Sequence, residues 1–146
     1  MVDISEKAPT DRRAVARGRV RMTRETLDLI VSGEMPKGDV FTVARVAGIM
    51  AAKRTAETIP MCHPVPLTGI DIELWADFDL QAVQIEASVK THAATGVEME
   101  ALTAVAAAAL TVYDMCKSAE KGMVIEGVGL ISKTGGTRGD YRVDET

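Results

Sequence analysis

The chain has 146 residues, of which 47% are apolar and 26% charged, with a formal net charge of −4. That length suits a single domain over residues 1–146 with one core, and the acidic balance excludes a global basic footprint for a nucleic-acid polyanion. One Trp, two Tyr and two Phe are too few for a surface that stacks bases.

Residues 1–11 read as an N-terminal arm, closed by Pro9, Thr10 and Asp11. From Arg13 to Met22 the chain alternates, Ala14, Ala16, Val20 and Met22 against Arg13, Arg17, Arg19 and Arg21. Period two predicts a strand with one buried and one basic, solvated face. A short helix follows from Thr23 or Arg24 through Ile30, stopped at Ser32-Gly33, and Met35-Pro36-Lys37-Gly38 is a turn. Asp39 is an N-cap, because its carboxylate accepts the free amides of a first turn. The helix it opens is expected to run to about Thr58, with Val40, Val43, Ala47, Met50 and Arg54 on one stripe and Lys53 at its edge.

Three prolines in Ile59-Pro60-Met61-Cys62-His63-Pro64-Val65-Pro66 predict a stiff, extended segment without regular pairing. Two alternating strands follow, Ile70–Phe78 and Val83–Lys90, joined by a hairpin connection at Asp79-Leu80-Gln81. Thr95-Gly96-Val97-Glu98 has capping-box spacing and opens a helix to about Lys117. Its small apolar centre, Ala104 to Ala109, predicts covering on more than one face, one of them by another subunit. A last strand, Met123 to about Lys133, precedes a glycine-rich, flexible tail at 134–146. This order predicts an α+β sandwich, one sheet with helices on one face. The longest apolar block, Ala104 to Leu110, falls short of a membrane span. Cys62 and Cys116 are far apart with no CxxC, so reduced thiols and a cytoplasmic location are expected.

Three places could carry chemistry. At Met61-Cys62-His63-Pro64 the prolines fix a thiol beside an imidazole. Two Cys and two His, with the neighbours adjacent, lack chelate spacing for zinc. A histidine-activated thiol competes with a buried Cys beside a satisfied His, since neighbours on an extended segment face apart. On the long helix, Glu100, Thr103, Leu110, Asp114 and Lys117 share a stripe. Asp114 and Lys117 are i, i+3 neighbours able to pair, either as a surface pair or as a shielded carboxylate with a shifted pKa. Glu98 has the capping-box role available to it. At the C-terminal end, Gly127 to Thr134 echoes a phosphate loop but has Ser132 where glycine should precede lysine, so it is no Walker motif.

Lys53 with Ile59-Pro60-Met61-Cys62-His63-Pro64, Thr95-Gly96-Val97-Glu98-Met99-Glu100-Ala101-Leu102-Thr103-Ala104-Val105 and Tyr113-Asp114-Met115-Cys116-Lys117 together resemble the cyclic pyranopterin monophosphate synthase family. Lys37-Gly38-Asp39-Val40-Phe41, Ala44-Arg45 and Ser132-Lys133-Thr134-Gly135-Gly136 extend the resemblance from Met1 to Tyr141. It implies a ferredoxin-like subunit, a homohexamer built as a trimer of dimers with sites at subunit interfaces, and no redox cofactor. The implied reaction turns a 3′,8-cyclic dihydroguanosine triphosphate into cyclic pyranopterin monophosphate and pyrophosphate. The resemblance makes Asp114 the acid/base and Lys117 its cationic neighbour. It places Met61, Cys62, His63, Met99, Glu100 and Glu98 against the substrate, and Lys37, Lys53, Lys133 and Arg12 at phosphates or proton transfers. Ala94 and Gly129 stand where the family often carries basic residues. Two readings outside catalysis remain open from the residues: a nucleotide-sensing module without turnover, and an oligomer whose charged stripe only specifies subunit pairing.

Overall fold

Every alternating segment forms a strand, and each strand is longer than its pattern. A computed structural model describes residues 1–144. In chain order it contains β1 (Thr10–Arg21), α1 (Arg24–Ser32), α2 (Val40–Lys53), α3 (Thr55–Thr58), β2 (Leu67–Asp77), β3 (Ala82–Ala93), α4 (Glu98–Cys116), β4 (Val124–Thr134) and β5 (Tyr141–Arg142). The strands make one antiparallel sheet in the order β2-β3-β1-β4-β5, with α2 and α4 packed against it. This is an α+β, ferredoxin-like arrangement. Residue 134 begins no free tail, because Tyr141 pairs with Lys133 and Arg142 with Ser132. The arm spans residues 1–9, as β1 starts at Thr10.

Alternation decides which residues enter the core. Ala14, Ala16 and Val20 of β1 and Val83, Ile85, Ala87 and Val89 of β3 are buried. They meet Ala101, Ala104, Val105, Ala108, Ala109 and Val112 of α4 in one cluster. The opposite face carries ion pairs between Arg17 and Glu86 and between Arg19 and Glu126, the solvated basic face that period two predicts. α4 is long and apolar enough by composition to cross a membrane, but here it is the helix that covers the sheet.

The helix starts follow side-chain caps in two cases. Thr23 accepts from the amide of Thr26 and Asp39 from the amide of Thr42. The capping box expected at Thr95 does not form: α4 begins at Glu98 with no side-chain cap. Ala94 and Thr95 lie in a bend before it, and the Glu98 carboxylate is engaged by Lys133 instead. The helix opened by Asp39 is also interrupted at Arg54, with α3 as a separate turn.

Apart from Val40, which is buried, the apolar stripe read on α2 lies on its open side. The buried positions are Val40, Ala44, Gly48 and Ala52, whereas Val43, Val46 and Met50 are exposed. The reason is close approach to α4. A Cβ at Gly48 would stand 3.0 Å from the carbonyl oxygen of Ala104 and 2.6 Å from Ile72 Cδ1. Only the smallest residues fit there, so the larger ones face outward. Gly48→Val should therefore lower unfolding stability by about 2 kcal/mol through overpacking, read as a lower denaturant midpoint with unchanged slope. An unchanged midpoint would mean that the two helices are not in close contact.

Candidate active site

Both ends of α4 carry charged groups, and they differ in character. At its N-terminal end, the proline segment, the arm and the first turn of α4 enclose a cavity of about 380 Å³. Cys62 and His63 both border it, so the expectation that these neighbours face apart does not exclude either from one site. Met61, Glu98, Met99 and Glu100 border it too, as do Val2, Ile4 and Lys7 of the arm. Glu100 is only 3% exposed. The Cys62 thiol donates to its Oε1 at 3.7 Å, while Oε2 is buried with no hydrogen-bond partner. Burial pushes the Glu100 carboxyl above the usual carboxylate range, and the neighbouring Glu98 adds to this. Burial also raises the Cys62 thiol, and Glu100 raises it further, so the resting sulfur is a thiol rather than a nucleophilic thiolate.

Beside this cavity lies a cationic annex of about 170 Å³, lined by Arg12, Lys133, Arg138 and the Gly135-Gly136 pair, with Lys7, Thr95, Gly96 and Glu98 shared between the two. Strand parity brings its cations together. Arg12 pairs with buried Thr91, and Lys133 pairs with buried Ala14. Both therefore extend the rows that face α4, just past the helix end. Arg12 is fixed by donating from Nε to the carbonyl of Ala93 at 3.1 Å and from its terminal nitrogen to that of Ala94 at 3.2 Å. Lys133 reaches Glu98 at 3.0 Å. Burial raises the Glu98 carboxyl, but its own backbone amide, Lys133 and Arg12 outweigh that and hold it below the ordinary range. The carboxylate folds back over Gly96, where a Cβ would overlap it, so glycine is required for this placement.

At the C-terminal end, Asp114 is held between two ammonium groups. Lys37 Nζ is 2.8 Å from Oδ2, and Lys117 Nζ is 3.0 Å from Oδ1. The shielding expected for Asp114 is not seen in the single chain, where its side chain is 54% exposed. The lysines, Lys37 first, hold its carboxyl below the usual range; it is therefore an ionised base at neutral pH. Lys37 arrives by the turn before α2, which folds back onto the end of α4. Because α4 climbs 1.5 Å per residue, Glu100 and Asp114 are about 21 Å apart along its axis.

A match to the MoaC family covers residues 1–136. The chain belongs to the MoaC family. A cyclic pyranopterin monophosphate synthase from Nostoc sp. is 60% identical over 141 residues, 97% of this chain and 84% of that protein. One from Chloroflexus aggregans is 58% identical over 146 residues, 100% of this chain and 88% of that protein. One from Cereibacter sphaeroides is 59% identical over 141 residues, 97% and 89% of the two chains.

In this MoaC-family chain the residues singled out by sequence fall into three places. Met61, Cys62, His63, Glu98, Met99, Glu100, Arg12 and Lys133 surround the joined cavity and annex. Lys37, Asp114 and Lys117 form the distant triad. Lys53 belongs to neither, since it borders a separate cavity with Ile49, Val65 and Leu67. Sequence reading missed Lys7 and Arg138. Nothing in the pattern of the arm marked Lys7. Arg138 follows the Gly135-Gly136 pair, and that turn signal places it beside Lys133. Among the described residues, no group of three or more His, Cys, Asp or Glu side chains is arranged to hold a metal ion.

Proposed function

We propose that this chain is a cyclic pyranopterin monophosphate synthase of molybdenum-cofactor biosynthesis, acting in the cytoplasm. It converts (8S)-3′,8-cyclo-7,8-dihydroguanosine 5′-triphosphate to cyclic pyranopterin monophosphate and pyrophosphate. The observation that carries this reading is the joined pair of compartments at the start of α4. A largely apolar cavity of about 380 Å³ suits a fused heterocycle with its sugar, and the adjoining annex gathers Lys7, Arg12, Lys133 and Arg138 for a polyphosphate. Forming the cyclic phosphate requires a substrate hydroxyl to attack the α-phosphorus. The bond to the bridging oxygen then breaks and pyrophosphate leaves. Cations around the departing phosphates neutralise that charge and lower the barrier.

The triad at the other end of α4 supplies proton transfer. Asp114, ionised between Lys37 and Lys117, is the acceptor, and either ammonium is a donor. A single chain separates this triad from the cavity, so the site is composed from two copies of the subunit within a homohexamer, a trimer of dimers. The open face of α4 supports that assembly. Met99 and Leu110 are exposed there, with Thr103, Ala106 and Ala107 half-buried between them and Asp114 at the end. An antiparallel crossing of α4 with its own copy at Ala106-Ala107 sets Thr103 opposite Leu110 and Met99 opposite Asp114. Each triad then meets the other copy's cavity. The exposed Val43, Val46 and Met50 of α2 widen the apolar contact. A self-complementary patch of this kind is the hallmark of a two-fold interface.

The test is incubation of the purified protein with the cyclised nucleotide, following pyrophosphate together with the fluorescence of the oxidised pterin. Both products are expected in equal amounts. Binding of the nucleotide without either product would replace this reading with that of a sensor.

A further inference from the structure

Among the described residues, the Glu100 carboxyl is the one group bordering the cavity that has a buried oxygen without a hydrogen-bond partner. It is 3% exposed, it receives one weak donor, the Cys62 thiol at 3.7 Å, and that thiol lies equally close, 3.7 Å, to the carbonyl oxygen of His63. Oε2 is buried with no partner among the described residues. Lys133, in the adjoining annex, is paired with Glu98, and among the described residues no ion pair is formed by Glu100. An ionised Glu100 would thus be a buried charge with no counter-ion and a second carboxylate one turn edge away, an arrangement that costs far more than a neutral acid in the same place. We propose that Glu100 is a protonated carboxylic acid in the resting enzyme, and that its hydroxyl is the hydrogen-bond donor for an acceptor atom, a carbonyl oxygen or unprotonated ring nitrogen, on the bound heterocycle.

This assignment deepens the reading of the cavity as the heterocycle compartment and rests on it. Cys62 is then a positioning residue. When its thiol donates to Oε1 rather than to the His63 carbonyl, one carboxyl oxygen is held as an acceptor toward the protein and the carboxyl is fixed in one orientation. The other titratable groups bordering the compartments are Cys62 and His63 from the proline segment, Glu98 from the same helix, Lys7 from the arm, Arg12 and Lys133 from the sheet, and Arg138 from the loop after β4. Of these, Glu98 disfavours ionisation of Glu100, and the cations that could favour it surround Glu98 and the annex. A neutral donor also selects. A heterocycle that offers an N–H at that atom would face the Glu100 hydroxyl donor to donor and be rejected, which a carboxylate would not do.

The experiment needs no variant to begin. Infrared spectra of the wild-type protein labelled with ¹³C at glutamate carboxyls should show a protonated carboxyl band at pH 7 that disappears only on further alkalinisation and is missing from Glu100→Gln. Linkage gives a second reading. Because the folded pKa is raised, the folded state holds a proton that the unfolded chain releases above its ordinary value of 4.5, so stability falls as pH rises through that window. Glu100→Gln, which cannot ionise, should lose this decline and melt higher relative to wild type at pH 8 than at pH 4. In turnover, Glu100→Gln, still a neutral donor, should lose about threefold, and Glu100→Ala about thirtyfold. A wild-type band absent at pH 7, or a Gln variant as impaired as the Ala variant, overturns the proposal. A wild type that carries the band yet releases no pyrophosphate removes the synthase reading, and the ligand-donor role with it, while the protonated acid stands.

Discussion

Asp114→Asn is expected to cut pyrophosphate release from the cyclised nucleotide by roughly a hundredfold to ten-thousandfold, the range a positioned general base contributes. The amide keeps the size and the hydrogen-bonding reach of the carboxylate but accepts no proton. The loss should appear in kcat. Nucleotide affinity should hold or tighten, because Lys37 and Lys117 no longer spend their charge on Asp114. The acid limb of the wild-type profile should lie below the ordinary carboxylate pKa of about 3.9, since Lys37 and then Lys117 hold Asp114 ionised. Stopped turnover with intact particle mass by light scattering supports the acid/base role. Undiminished turnover refutes it, and a change in mass before any change in rate would assign Asp114 to subunit pairing.

A second large effect comes from mixing two inactive proteins. Asp114→Asn destroys the triad and His63→Ala alters the cavity, and these lie at opposite ends of α4. If each site takes its triad from one copy and its cavity from the other, a mixed dimer has one site bearing both lesions and one bearing neither. Random exchange of two variants gives half mixed dimers, so activity should recover to about a quarter of wild type. Mixtures that stay inactive after verified subunit exchange would place both halves of the site in one chain, which the separation along α4 makes difficult to close.

β1, β2 and β3 were legible because one face of each is buried and alternation survives in the residues, as in Ala14, Ala16 and Val20 against Arg13, Arg17 and Arg19. Asp39 was legible as a cap because its carboxylate has a local job that no distant residue competes for. Thr95 failed for the opposite reason: Lys133, 35 or so positions on in the chain, takes the Glu98 carboxylate, and no local spacing reports a strand folding back. Beyond Val40 the α2 stripe was read on the wrong face because Ala44, Gly48 and Ala52 pack by close approach, which a hydrophobic pattern does not register. For the site, motif resemblance located most of the residues around the cavity. That Glu100 and Asp114 lie at opposite ends of one helix was readable too, since fourteen residues at about 1.5 Å each separate them; the cavity and annex themselves, built from the arm, the proline segment and β4, were not. Arg12 was within reach of the residues alone, since it shares the parity of Ala14 and Ala16 and its row ends beyond α4.

The two-residue strand β5 has an effect larger than its length. Through it, Lys133 is bonded into the sheet on both flanks, opposite Ala14 on one side and Tyr141 on the other, and the intervening loop is closed by the amide of Gly135 on the Asp140 carboxylate. A lysine stem rooted in this way has little backbone freedom left to surrender when an anion arrives. More of the attraction between ammonium and phosphate then shows up as affinity instead of being consumed in ordering the chain. If Lys133 meets a phosphate as proposed, residues that do not touch it, Asp140 and Tyr141, set how tightly it is held.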